Sequence, residues 1–179
     1  MRHNYMPNQI AKNTAKAIGK DLPISPKVSI EICNYLRGKE LDAAIATLER
    51  VMEKKQAIPY KRFANAAGHK PGKGMAAGRY PIKASGEFKK LLENAKANAA
   101  NTGLTGKLVI THIAAQRASE PFRAYAKERI AFKRAHVEVI VSEVKSTDGD
   151  KAAKAKTAKA AQKPAQKPAS KPKAAPAEE

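Results

Sequence analysis

The chain has 179 residues but no tryptophan, a single cysteine and an aromatic content of only 5%. Each shortage excludes something. Cys33 has no second cysteine with which to form an internal disulfide or a cysteine zinc site, which fits a reducing compartment such as the cytosol. It falls on a predicted helix and reads as a small core side chain, not a nucleophile. So few aromatics offer no platform on which successive bases of a single strand could stack. Acids are scarce too: 16 Asp and Glu stand against 35 Lys and Arg, for a formal net charge of +19. Apolar runs are only a few residues long, so no segment is expected to span a membrane. The N-terminus lacks the apolar stretch of a secretory signal. Its first twenty residues are basic and acid-free, faintly like a transit peptide, but carry no arginine series.

Catalytic patterns are missing as well. His3, His69, His112 and His136 are scattered, without metal-ligand spacing, and no Ser/His/Asp or Cys/His set has a supporting local signature. The stretch GHKPGKG superficially resembles a phosphate-binding loop. Met75 stands where that motif needs Ser or Thr, and no strand precedes it. No recognition-helix or zinc-finger pattern argues for base reading in DNA. No enzyme, cofactor or metal is expected.

What the chain does have is positive charge. A compact body at +19 repels itself unless a polyanion neutralises it. Nucleic acid is the favoured polyanion, because each Lys or Arg that meets a phosphate releases a condensed counterion. Near residue 145 the composition turns to Lys, Ala and Pro, with no aromatic or β-branched apolar side chain to build a core. Residues 146–179 therefore read as a disordered cationic tail, and 1–145 as the folded domain. From residue 151 onward eight lysines face two acids, so the tail holds six of the nineteen net charges and the body thirteen.

Three helices are predicted in the body. Ser25 and Pro26 form a start signal, Ser as N-cap and Pro at the first helical position. Val28, Ile32, Tyr35 and Leu36 then share a face, and Gly38 ends the helix. A second helix, from about Glu40 to Lys54, has an apolar stripe of Leu41, Ala44, Ile45, Leu48, Val51 and Met52. Ser85 opens a third, with Glu87 in its first turn. Phe88, Leu91, Leu92, Ala95 and Ala99 form its stripe, and Gly103 is its stop. These stripes read as core packing. Residues 107–115 and 136–144 are β-branched and of strand length. In the second of these, Val137, Val139 and Val141 alternate with Glu138 and Ser142, as in a half-buried strand. A weaker strand is predicted around residues 15–24.

Two basic stretches do not read as core. Residues 55–84, with Lys54 at their threshold, form a long irregular loop carrying Lys55, Lys61, Arg62, Lys70, Lys73, Arg79 and Lys83. A loop of that length in a small domain points to function. Residues 116–135 carry Arg117, Arg123, Lys127, Arg129, Lys133 and Arg134, diluted by Glu120 and Glu128. If both neighbouring strands continue into them, residues 108–144 make one long hairpin projecting beyond the core. Such contacts would go mainly to phosphates and sugars of a shaped RNA, which fix position without reading sequence.

The ordered pieces resemble one family. SPKVSIEICNYLRGKELDAAIATLERV looks like its first two helices with an Arg-Gly-Lys link. KKQAIPYKRF and GRYPIKASGEFKKLLENAKANAANTGL look like its archaeal and eukaryotic branch. LVITHIAAQRA and RAHVEVIVSE look like the arms of its hairpin. The chain, over roughly residues 10 to 144, is thus similar to the L-twenty-two family of large-subunit ribosomal proteins. The resemblance implies an α+β fold, with three helices packed on a small antiparallel three-stranded sheet and a long projecting β-hairpin. It also implies a non-enzymatic protein of the cytoplasmic ribosome that binds large-subunit rRNA, supports its folding and assembly, and lines the polypeptide exit tunnel. By carry-over Arg123, Lys127 and Arg129 lie near the hairpin tip, and Arg117, Lys133 and Arg134 on the arms. The implied partners are large-subunit rRNA, neighbouring ribosomal proteins and the nascent polypeptide near the tip, with no membrane and no homo-oligomer. The glutamates at 120 and 128 and the lack of glycine between residues 111 and 143 depart from the family's tip. A DNA-packaging protein acting through its Lys/Ala/Pro tail is the competing interpretation. An enzyme acting on RNA lacks a supported acid/base pair.

Overall fold

The computed structural model describes residues 5–7, 13–72, 74–122 and 130–144. The strand of highest β-propensity sits at the centre of the sheet. This is β5 (Ala135–Val144), antiparallel to β1 (Thr14–Leu22) on one side and to β4 (Lys107–Arg117) on the other. Ala15, Ala17 and Gly19 oppose Val141, Val139 and Val137, while Ile110 and Ile113 oppose Val141 and Val139. Ile110 and Ile113 can both face the core because the register shifts between Ile110 and His112. One extra residue in β4 converts a three-residue spacing into a shared face.

Three helices cover that face: α1 (Pro26–Leu36), α2 (Leu41–Met52) and α3 (Ile82–Asn101). α1 packs on β4, α3 on β1, and α2 on α3. Ile32, Leu36, Leu41, Ala44, Leu48, Val51, Phe88, Leu92, Ala95 and Ala99 are buried in one core, as the apolar stripes predict. Burying each large side chain contributes roughly 1.5–3 kcal/mol. The Arg-Gly-Lys link between α1 and α2 also covers the outer edge of β4: Gly38 N donates to Ile110 O, and Ile110 N donates to Lys39 O, both at 3.0 Å. Gly38 reaches this pairing at φ 75°.

Several expectations need correction. Ser25 occupies the N-cap position, but its hydroxyl caps nothing; its carbonyl instead accepts Ser29 N and Ser29 Oγ, both at 3.0 Å. The second helix is shorter at both ends than Glu40 to Lys54. The third begins at Ile82, not at Ser85. Pro81, with no N–H to satisfy, holds the N-cap position, and Ser85 N donates to its carbonyl at 2.9 Å. Ser85 is therefore within the helix and buried, and Lys83 lies in its first turn. The loop 55–84 is less irregular than expected: β2 (Ile58–Pro59) pairs with β3 (Gly78–Arg79), His69 bridges to Ala77, and Ala57, Ile58 and Tyr60 are buried. Glu138, expected on a solvent face, is 2% exposed, because both faces of β5 are covered there. Its carboxylate accepts Met6 N at 3.3 and 3.4 Å and contacts His112 Nε2 at 3.1 Å.

Candidate nucleic-acid interface

The first basic stretch is organised by a buried carboxylate. Glu31, on α1 and 1% exposed, accepts backbone N–H groups from three successive residues: Lys61 at 3.2 Å, Arg62 at 2.8 Å and Phe63 at 2.7 Å. A carboxylate out of water needs such donors, and the turn needs an acceptor for amides that no strand pairs. The backbone of this turn is fixed in consequence, and the Lys61 and Arg62 side chains remain exposed. The Arg62 guanidinium lies 5.4 Å from the centre of the Phe63 ring and Lys27 Nζ 5.8 Å, so three cations gather at one turn.

The neighbouring small ladder holds two more. Arg79 donates to Ala66 O at 2.6 Å and lies 5.8 Å over the Tyr60 ring, while Lys70 lies 5.5 Å over Tyr80. The Tyr60 hydroxyl is buried without a hydrogen-bond partner. Desolvation pushes its pKa up, Arg79 opposes the shift and Glu31 adds to it. Lys54 turns the chain out of α2 at φ 60°, and Lys55 is paired with Glu53 at 2.7 Å. The Gly68–Gly74 stretch is no phosphate loop: Gly78 N donates to Gly68 O and Lys70 N to Ala76 O, a hairpin-like turn with no helix directly after it.

The second stretch begins where β4 and β5 end. Ala118 N donates to Arg134 O at 3.2 Å, Phe132 N to Pro121 O at 2.9 Å, and Phe122 bridges to Ala131, so the arms stay paired beyond the sheet. Arg117 is tied to Glu120 at 2.8 Å. Lys133 and Arg134 line a cleft together with Lys83 from the start of α3. Arg123, Lys127, Arg129 and Lys73 lie outside the described residues, as do residues 146–179.

The predicted cations thus fall into separate clusters: Lys61 with Arg62, Lys70 and Arg79 on the small ladder, and Lys83 with Lys133 and Arg134. Sequence reasoning missed Lys27 and, above all, Glu31. The signal for Glu31 was present, since it lies three residues after Val28 and four before Tyr35, an acid set in an apolar stripe. Among the described residues no group of His, Cys, Asp and Glu could hold a metal ion, and no helix is long and apolar enough to cross a membrane.

Comparison with known proteins agrees with this architecture. The family model described as ribosomal protein L22p/L17e matches residues 17–142. The large ribosomal subunit protein uL22 of Methanococcus aeolicus is 43% identical over 150 residues, covering 78% of this chain and 96% of that protein. Its counterpart in Ignicoccus hospitalis is 42% identical over 143 residues (74% and 90%). That of Methanococcoides burtonii is 39% identical over 150 (80% and 99%). With most of the body matched end to end, this chain belongs to the ribosomal protein L22p/L17e family.

Proposed function

We propose that the chain is a structural, non-enzymatic constituent of the large ribosomal subunit that holds rRNA helices together by neutralising their phosphates. The cations assigned to this role are Lys54, Lys55, Lys61, Arg62, Lys70, Lys73, Arg79, Lys83, Arg117, Lys133 and Arg134, with Arg123, Lys127 and Arg129 at the hairpin tip facing the exit tunnel and its nascent chain. One observation carries the reading. Among those described, all but Lys55 and Arg117 lack a carboxylate partner for the side chain, and all are exposed or half-exposed. Surface cations left unpaired in a chain of +19 are available to a polyanion. The body 1–145 acts as one domain, and the tail 146–179 adds charge without being needed for the fold. Neighbouring ribosomal proteins are further partners, and no self-association is required.

The test is sedimentation of cell lysate through sucrose at moderate salt, with and without RNase, probing for this chain. Co-migration with large subunits, lost on RNase treatment, is the expected outcome, and a chain truncated before Ser146 should still assemble. Migration with chromosomal DNA, sensitive to DNase and abolished by that truncation, would instead identify a DNA-packaging protein.

A further inference from the structure

A cleft of about 540 Å³ lies between the starts of α1 and α3 and the second arm of the hairpin. Its walls divide by chemistry. Pro23, Ile24 and Phe132 supply apolar surface, and Phe132 is 46% exposed. Lys83, Lys133 and Arg134 supply three positive charges. No acid lines it, and none of the three cations has an ion-pair partner among the described residues. Neither adjoining helix has an acid in its first turn or a side-chain cap, so both present the positive end of the helix dipole in this region. A bare phosphate would leave the aromatic wall uncovered, and an apolar side chain would leave three cations without a counter-charge. A nucleotide satisfies both halves, with a flat base for the ring and a phosphate for the cations. The volume is within the range of about 300–1,000 Å³ typical of sites for small organic groups.

We propose that this cleft seats a single unstacked nucleotide of large-subunit rRNA, its base against Phe132 and its phosphate among Lys83, Lys133 and Arg134. This rests on the rRNA-binding role above and adds a base contact to what is otherwise backbone recognition. The scarcity of aromatics is compatible with it, because one seat needs one ring.

The natural chain has no tryptophan, so the full-length Phe132→Trp variant carries one indole, placed in the cleft. Its emission is followed while protein-free large-subunit rRNA is added, with filter retention measured in parallel and inorganic polyphosphate as a polyanion without bases. Severalfold quenching that saturates with retention, and is absent with polyphosphate, is the expected result. In the otherwise natural chain, Phe132→Ala should weaken retention about 5- to 100-fold, the usual range for losing one base–aromatic stack, and Phe132→Tyr should restore most of it. Retention with undiminished emission overturns the nucleotide seat but leaves rRNA binding intact. Equal quenching by polyphosphate also overturns it, in favour of a site for phosphate alone. Loss of retention in every form of the protein overturns the seat and the rRNA reading together.

Discussion

At the scale of single residues, two buried groups set testable limits. Cys33 is 2% exposed, and its thiol is pushed up to about 12 from an ordinary 9.0, chiefly because burial disfavours the thiolate. The sign follows from linkage. The folded state retains the proton longer than the unfolded chain does, so the stabilising effect is complete below pH 9 and is lost as pH rises toward 12. Above pH 9 the natural chain should lose stability relative to Cys33→Ala with a slope approaching about 1.4 kcal/mol per pH unit. Urea denaturation of both proteins across that range measures it, and parallel curves would refute it. Glu31 sets the second limit. In Glu31→Gln one carboxylate oxygen becomes an amide that cannot accept the Lys61, Arg62 and Phe63 amides. The expected loss is about 2–3 kcal/mol, with faster hydrogen exchange at residues 61–63 and weaker rRNA binding. Unchanged exchange at those three amides would contradict Glu31 as their organiser.

At the scale of elements, α3 ends in a Schellman motif. Leu104 N donates to Ala99 O and Gly103 N to Ala100 O, both at 3.0 Å, with Gly103 at φ 78°. Gly103→Ala puts a Cβ into the left-handed region and should cost about 1–2 kcal/mol, read as a lower melting temperature with the helix content retained. This stop was legible in the sequence, as were all three helices and the two long strands, because periodic apolar residues and β-branched runs act locally. What was not legible depends on contacts between distant segments. The start of α3 was misread because Ser85 resembles a cap while Pro81 holds the N-cap position. Glu138 was misread because alternation reports two faces but cannot report that Met6 covers one of them. The 55–84 segment looked like a loop because a ladder of only two residue pairs leaves almost no periodic trace. Of the candidate interface, the identities of the cations were legible and their grouping was not. Lys83 meets Lys133 and Arg134 only because α3 begins beside the hairpin arm.

At the scale of the whole molecule, charge dominates. If Lys61 and Arg62 each neutralise an rRNA phosphate, Lys61→Ala with Arg62→Ala should flatten the plot of log affinity against log salt by roughly one per contact, about two in all. Filter binding at 50 to 300 mM salt, a range of roughly the kind over which such slopes are read, checks this. An unchanged slope would remove both residues from the interface. The same cations repel one another in the free chain, so added salt should stabilise the free protein while weakening its complex.

The central position of β5 has a mechanical consequence. The hairpin arms, paired out to Phe122 and Ala131, continue the axes of β4 and β5, and β5 is bonded along its length to a strand on each side. A pull on the arms therefore runs along the strands and loads both ladders in shear. Many hydrogen bonds share the force at once, where a peeled edge strand would give them up one after another. The arms are mounted as a lever with its root clamped on both sides, so the body should resist tension at the far end better than the size of its sheet suggests.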